Sequence, residues 1–293
     1  MRSCLICESD QLRSFFEGRI RMGSFGKLSE SPQTVTECAR CGARYLPPLM
    51  DDVGGYYRDG AYRDDLDQGN AIEKYFELTD DDQPYRLDIL GPHTVRGRRV
   101  ADVGCGAGPF LDLVKGSASG TIAIEPNEAY HDSLRERGHL VFGSVESLLS
   151  AGEAPADIAV SFSVLEHVEN PREFLVGIRQ LLRPDGRLLI STPNANDYML
   201  ELCPEYRSFF YRKVHLWYFT ASALTRLANL SGFSRCDVQF KHRFDLSNAL
   251  LWLRDKRPSG LGNIPLNVHL NNSWRDFLES SGGSDYLYAI LQA

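Results

Sequence analysis

The sequence has no apolar run near the ~18 residues that a bilayer span requires. The opening "MRSCLICESD" also lacks the apolar segment of a secretory leader. A soluble protein of the cytoplasm, without a membrane partner, is the expectation. Basic charge is scarce as well. The net charge is -7, and residues 51–92 hold twelve Asp/Glu against four Lys/Arg, enough to account for the whole excess. A chain without a basic stripe is poorly made to grip a phosphate backbone, so nucleic acid is not the expected partner. There are no internal repeats and no low-complexity tracts. Cysteine is sparse and odd in number, seven in all. Without a leader, this argues against a secreted disulfide framework and for metal ligands plus free thiols in a reducing compartment.

What is present is enough for one sizeable core. With 293 residues and 43% hydrophobic content, a main domain leaves several tens of residues for a smaller attachment. From residue 96 onward, strand-like runs ("RRVADVG", "GTIAIEP", "HLVFGS", "ADIAVSF", "GRLLISTP") alternate with amphipathic stretches. In "NPREFLVGIRQLLRPDG", Phe174, Ile178, Leu181 and Leu182 share a helical face before Pro184 and Gly186. Thr220 is placed to cap a helix with Leu224, Leu227 and Leu230 inward. Alternation of this kind predicts an α/β fold with a parallel, doubly wound sheet. The expected division is residues 1–50, a linker with lid helices over 51–95, and a main domain over 96–293. Within the last, residues 245–282 carry Trp252 and Trp274 and read as an ordered substrate cap. A helix through Ile72, Tyr75 and Phe76 is expected within 66–90, broken near Pro84.

Cys4-x2-Cys7 and Cys38-x2-Cys41 are two knuckles separated by thirty residues. Two such pairs supply four thiolates, a closed tetrahedral shell for structural zinc with no position left for water. A redox reading needs only one pair and a thioredoxin-like setting, which is absent. Cys105, Cys203 and Cys236 read as buried thiols.

Asp102-Val-Gly104-Cys105-Gly106-Ala-Gly108 follows the first strand of the alternating region and runs into Pro109 and an apolar helix. That order puts bare backbone at the carboxyl end of a strand, where open α/β sheets bind ligands. Glu125 ends the next strand, twenty-one residues after Gly104, about where a ribose diol is accepted in such folds. The glycines at 104, 106 and 108 depart from G-x-G-x-x-G, so the loop is not tuned to a pyrophosphate. It suits a nucleoside whose other end is cationic.

"VADVGCGAGPF", "AIEPN", "DIAVSFSVLEHVENPREFLVGIRQLLRPDGRLLISTPN" and "HLWYFTASALTRLANLSGF" together resemble the class I S-adenosylmethionine-dependent methyltransferases over roughly residues 96–240. The resemblance implies a mostly parallel seven-stranded, Rossmann-like sheet and S-adenosylmethionine as cofactor. It carries over Asp102, Gly104, Cys105, Gly106 and Gly108 as donor contacts, with Glu125 on the ribose. Ser144 and Val145 stand where the family often has an adenine-binding Asp, a departure, and Phe162 corresponds to a residue lining the methyl donor. A zinc ribbon ahead of such a domain is similar to methyltransferases of sugar and natural-product pathways.

Methyl transfer from a sulfonium asks the protein chiefly for alignment. A hydroxyl acceptor also benefits from a base, for which His167 and His215 are candidates, each equally readable as a structural histidine. Tyr56, Tyr57 and Tyr62 read as a lid over donor or substrate, or as glue beside the ribbon. The expected substrate is a small hydroxylated metabolite, a sugar, nucleotide sugar or natural-product intermediate, methylated on oxygen or carbon. RNA methylation guided by the ribbon is the alternative enzyme reading, and a cofactor-binding scaffold the non-enzyme one.

Overall fold

The computed structural model describes residues 3–23, 26–62, 71–258 and 264–293. Residues 63–70 of the expected linker, including the proposed start of its helix, and 259–263 of the expected cap lie outside the described residues.

Near the amino terminus, β1 (Leu12–Gly18), β2 (Gln33–Cys38) and β3 (Arg44–Tyr45) form an antiparallel array. It continues into β9 (Trp217–Tyr218), so that four strands run in the order β1-β2-β3-β9. The larger sheet contains β4 (Arg99–Val103), β5 (Gly120–Ile124), β6 (Leu140–Phe142), β7 (Ala156–Phe162), β8 (Leu182–Pro193), β10 (Arg235–Lys241) and β11 (Tyr286–Gln292). Its order is β10-β11-β8-β7-β4-β5-β6. The pairs β4/β5, β4/β7 and β5/β6 are parallel. Four of five residues in each of β4 and β5 are buried, which is why these strands read as unbroken apolar runs rather than alternating ones. This is the α/β sheet expected from the alternation, in the mostly parallel seven-stranded form that the resemblance implied.

The chain winds outward from β4 in both directions, through β5 and β6 on one side and β7 and β8 on the other. The switch point therefore lies between β4 and β7, the place at which open sheets of this winding bind ligands.

The helices start where their caps dictate. α1 spans Val53–Arg58, α2 Ile72–Thr79 and α3 Gln83–Leu90; a 3-10 turn at Asp80–Asp82 separates the last two, just ahead of Pro84. α4 (Pro109–Val114), α5 (His131–Glu136) and α6 (Val145–Ser150) follow β4, β5 and β6. α7 (Pro171–Leu181) starts at Asn170, whose side chain accepts from the N–H groups of Arg172 and Glu173. Its seam uses Leu175, Ile178 and Leu181; Phe174 is only partly buried, and Leu182 already belongs to β8. The helix therefore ends ahead of Pro184, because the backbone turns extended at Leu182.

α8 (Met199–Leu202) and α9 (Tyr206–Phe210) precede α10 (Ala221–Leu230). The Thr220 hydroxyl accepts from the Ala223 N–H at 3.1 Å, as its position predicted. Leu224 and Leu227 are fully buried, but Leu230 is 38% exposed, one turn too far along to reach the core. Residues 245–282 contain α11 (Leu246–Asp255) and α12 (Val268–Ser281), capped by Asp245 and Asn267.

The chain comprises two compact units. The first is Met1–Leu49 with Ser191–Leu227 and Val238–Tyr288; the second is Met50–Ile190 with Ala228–Asp237 and Ala289–Ala293. The first unit's core gathers Ile20, Val35, Leu46, Met199, Tyr211, Tyr218 and Trp252. Trp252 meets Tyr206 edge-on at 5.0 Å, so the first tryptophan of the expected cap is a core residue.

Candidate active site

In the second unit, the loop after β4 has its three glycines at left-handed φ angles: +80° at Gly104, +55° at Gly106 and +82° at Gly108. Side chains other than glycine resist this region. Space is as tight as conformation. A Cβ on Gly104 would stand 2.5 Å from Val164 Cγ2, and one on Gly106 would run into the Tyr75 hydroxyl. The loop thus lies between β4 and the segment after β7, at the switch point, where Ser163 also holds a left-handed φ of 55°.

Glu125 ties this loop down. Its Oε2 accepts the Gly106 N–H at 2.8 Å and its Oε1 the Asn127 N–H at 2.8 Å, and the residue is 5% exposed. Burial pushes the Asp102 carboxyl up to about 7, with Arg86 pulling against it and the Glu125 charge adding to it. Burial likewise pushes the Cys105 thiol far above its ordinary range, the charges of Asp102 and Glu125 adding to the effect. Cys105 is therefore an inert buried thiol rather than a nucleophile. Phe162 ends β7, 8% exposed, with its ring edge-on to Phe110 at 5.3 Å. Ser144 is half-buried and caps α6 in a capping box with Ser147; Val145 beside it is buried.

Two residues that sequence patterns did not single out for the site lie here. Tyr75, on α2, reaches the glycine loop, with its ring edge-on to Tyr130 at 5.6 Å. Arg86, on α3, sets its guanidinium over the Phe162 ring at 4.5 Å, and its buried Nε finds no hydrogen-bond acceptor among the described residues. The signal for Arg86 was available: it is one of only four basic residues in the acidic stretch 51–92.

The structure joins two candidates that the sequence offered separately. The Tyr57 hydroxyl lies 2.6 Å from His167 Nδ1, and the rings meet edge-on at 5.4 Å. Tyr56 and Tyr62 pack against Tyr57 at 5.4 and 5.2 Å. Glu166, wholly buried, has Oε1 4.0 Å from His167 Nε2. A phenol, an imidazole and a buried carboxylate in series can accept and stabilise a proton.

The other candidates belong to the first unit. His215 is buried and its Nε2 accepts from Arg212 Nε at 2.8 Å, so a neutral ring carries its proton on Nδ1. That lone pair serves an arginine. Cys4, Cys7, Cys38 and Cys41 are buried together, with sulfur separations of 3.7 Å for Cys4–Cys41 and 3.6 Å for Cys7–Cys38. All four sulfurs lie within 4.8 Å of one another. Four sulfurs each 2.3 Å from one zinc stand about 3.8 Å apart in a tetrahedron. The donor set and its spacing therefore fit that ion. The two knuckles repeat one backbone pattern. Glu8 N–H donates to the Cys4 carbonyl and Gly42 N–H to the Cys38 carbonyl, both at 2.8 Å, with φ of 61° and 75° at Glu8 and Gly42.

A glycine cradle at the switch point of a mostly parallel sheet, with a buried acid at the tip of the next strand, is the donor-site architecture of class I S-adenosylmethionine-dependent methyltransferases. A model of the methyltransferase-domain family matches residues 80–236, more than half of the chain. The chain belongs to this family and is an S-adenosylmethionine-dependent methyltransferase. It is 29% identical over 181 residues to the ubiquinone biosynthesis O-methyltransferase of Neisseria meningitidis serogroup C (strain 053442), covering 56% of this chain and 76% of that one. The protein of the same name from Maricaulis maris (strain MCS10) is 32% identical over 113 residues, covering 36% of this chain and 44% of that one. Among solved structures, a SAM-dependent methyltransferase from Archaeoglobus fulgidus matches with a TM-score of 0.53 at 20% identity, over 76% of this chain and 98% of that one. The 1,6-didemethyltoxoflavin-N1-methyltransferase of Burkholderia thailandensis, solved with S-adenosylhomocysteine, matches with a TM-score of 0.52 at 17% identity, over 85% and 95%. Both share the fold.

Gly106→Ala tests the cradle. The left-handed φ should cost about 1–2 kcal/mol of stability, read as a lowered urea midpoint. The added methyl should cost about 1–3 kcal/mol of donor binding, read by calorimetry. The double variant Gly106→Ala/Tyr75→Ala separates the two obstacles: recovery of affinity there would assign the loss to the tyrosine side chain rather than to the donor.

Proposed function

We propose that the protein transfers a methyl group from S-adenosylmethionine to the hydroxyl oxygen of a small metabolite, with His167 as the base. The carrying observation is the 2.6 Å contact between the Tyr57 hydroxyl and His167 Nδ1 in the same unit as the glycine loop. Curated relatives named O-methyltransferase support the same reading. When bound, the donor supplies a methyl group on a sulfonium, a strong leaving group that leaves the protein to align and to manage one proton.

The second unit's residues divide that work. Backbone at Gly104, Gly106 and Gly108 lets the donor approach, Glu125 accepts its ribose hydroxyls, and Asp102 lies beside the loop as a counter-charge. Arg86, with its buried Nε, holds the donor's carboxylate. Phe162 and Cys105 line the methyl end, and Ser144 and Val145 flank the base, recognition there falling to backbone groups because the Ser144 side chain is spent on its capping box. His167 takes the acceptor's proton at Nε2 while its Nδ1–H donates to Tyr57, and the Glu166 carboxylate stabilises the imidazolium. Tyr56 and Tyr62 hold Tyr57 in place. His215 orients Arg212 instead of acting as a base. Cys4, Cys7, Cys38 and Cys41 hold a structural zinc ion, a closed four-thiolate site that takes no part in the chemistry.

Glu125→Ala is the decisive substitution for the donor site. Calorimetry with S-adenosylmethionine should show binding weakened by about 1–3 kcal/mol, the range for removing a buried hydrogen-bonding carboxylate. Unchanged affinity would take Glu125 out of the site.

A further inference from the structure

The first unit contains a cavity of about 190 Å³. An engineered cavity of 150 Å³ is enough to hold a benzene molecule, so this one has room for a single ring and a small substituent. Much of its wall is aromatic: Phe209, Phe210 and Phe244 line it, and the Tyr206 ring lies 5.7 and 6.1 Å from the first two. A flat ring can join such a wall edge-on or offset, the arrangements that aromatic pairs favour. The charged lining is three arginines, Arg21, Arg212 and Arg243, and two acids, Asp197 and Asp285.

The two acids differ in what they can still accept. Asp285 belongs to Arg243: its Oδ2 accepts from Arg243 Nε at 2.8 Å and its Oδ1 from the Arg243 N–H at 3.0 Å, with His242 Nδ1 3.3 Å from the same Oδ1. Asp197 is 2% exposed. Its Oδ1 accepts from the Met199 N–H at 2.9 Å and its Oδ2 from the Tyr206 hydroxyl at 3.0 Å. A carboxylate has about four acceptor positions, and these two bonds use one on each oxygen. Asp197 therefore has capacity for a further donor, and it lines the cavity.

Burial, with the Asp285 charge adding to it, pushes the Asp197 carboxyl up to about 7, against the pull of the Met199 N–H, the Tyr206 hydroxyl and His242. Burial penalises the charged form alone, so a carboxylate in this position gains from each extra hydrogen bond it accepts. The rest of the wall restricts the donor. A cation would meet the guanidinium groups of Arg212 and Arg243, and an ionised carboxylate has no hydrogen to give. An uncharged hydroxyl both donates and accepts, so it suits a carboxyl acceptor set among guanidinium donors.

We propose that this cavity binds a phenol, whose hydroxyl donates to Asp197 and whose ring lies against Phe209, Phe210 and Phe244. The site is built from the first unit's residues and does not depend on the assignment of the base or the donor. Its chemistry is that of a ligand with one flat apolar ring and an uncharged hydroxyl upon it.

The test is titration of the full-length protein at pH 8 with phenol, anisole and benzoate, followed by calorimetry and by tryptophan fluorescence. Trp252 is the reporter, since it meets Tyr206 at 5.0 Å and Phe209 at 5.1 Å. Phenol should bind at least tenfold more tightly than anisole, which lacks the hydrogen to donate, and more tightly than benzoate. Between pH 8 and pH 6 the carboxylate form of Asp197 gives way to the acid, so phenol affinity should fall at least threefold. Asp197→Asn keeps the size of the side chain and an acceptor for the Met199 N–H. It should weaken phenol binding at least fivefold at pH 8 and abolish the difference between the two pH values. Should the variant fail to fold, the wild-type comparison of the three ligands decides. Phenol no tighter than anisole, benzoate tighter than phenol, or no binding of any would overturn the proposal. Retained binding of S-adenosylmethionine in those cases would leave the methyl-transfer reading standing.

Discussion

Cys38→Ser should strip the protein of its zinc and release the amino-terminal strands. Apparent binding free energies of structural zinc in finger peptides are about 10–16 kcal/mol, a contribution added to the packing of Phe16, Ile20, Val35 and Leu46 in the core of the first unit. No residue of β1 is fully buried, and four of its seven are exposed. β2 owes its buried end to Val35, Glu37 and Cys38. Hydrogen bonding from Cys41 already holds the Cys4 thiol down to about 5 against its burial, so one thiolate is favoured before any ion arrives. Metal analysis of the wild type should give one zinc per chain. The Cys38→Ser variant should give close to none, with limited proteolysis cutting within residues 1–50. Cys236→Ser, outside the cluster, should keep its metal. Wild-type protein purified without zinc and unaffected by a chelator would remove the ion from the fold.

His167→Ala should lower kcat by about 10²- to 10⁴-fold, the range for losing a positioned base. S-adenosylmethionine affinity should be unchanged, since a base acts on the acceptor's proton and not on the donor. Tyr57→Phe keeps the ring packing among Tyr56, Tyr62 and His167 but removes the hydroxyl at Nδ1. Its kcat should fall less, about tenfold, and the acidic limb of the pH–rate profile should move. A His167→Ala enzyme with full kcat on an oxygen acceptor would exclude this base. Full activity on a carbon acceptor already in enolate form, together with loss on hydroxyl acceptors, would identify the missing function as proton removal.

Much of the architecture was legible because local signals and packing agree. The parallel core wrote itself as runs such as Val100–Val103 and Ile158–Phe162, since both faces are covered. Asn170 and Thr220 announced their helices through side chains that satisfy orphan N–H groups. The glycines at 104, 106 and 108 announced a loop with left-handed backbone at all three positions, and the paired cysteines announced their own cluster. Other features had no local signature. β3 and β9 are two residues long, too short for any period, and are defined only by their pairing. Tyr57 and His167 are 110 residues apart, so each was a separate candidate until the fold brought them together. Arg86 was masked by the acidic residues around it. Phe174 and Leu230 were misplaced because a helical face is about a third of a turn wide and a helix end shifts it. The cavity wall was hidden most thoroughly, because Arg21, Arg212 and Arg243 come from three stretches far apart in the chain.

The pairing of β3 with β9 sets a timetable for biosynthesis. Arg44 and Tyr45 meet Tyr218 and Trp217, so the amino-terminal strands leave the ribosome well over a hundred residues before their fourth neighbour exists. During that interval β3 presents an unpaired edge, which invites association with other nascent chains. Cysteine knuckles that close on a metal ion straight after translation of residue 41 would give the early segment a folded form while it waits. Growth in zinc-depleted medium should on that account yield aggregates rather than merely a less stable enzyme.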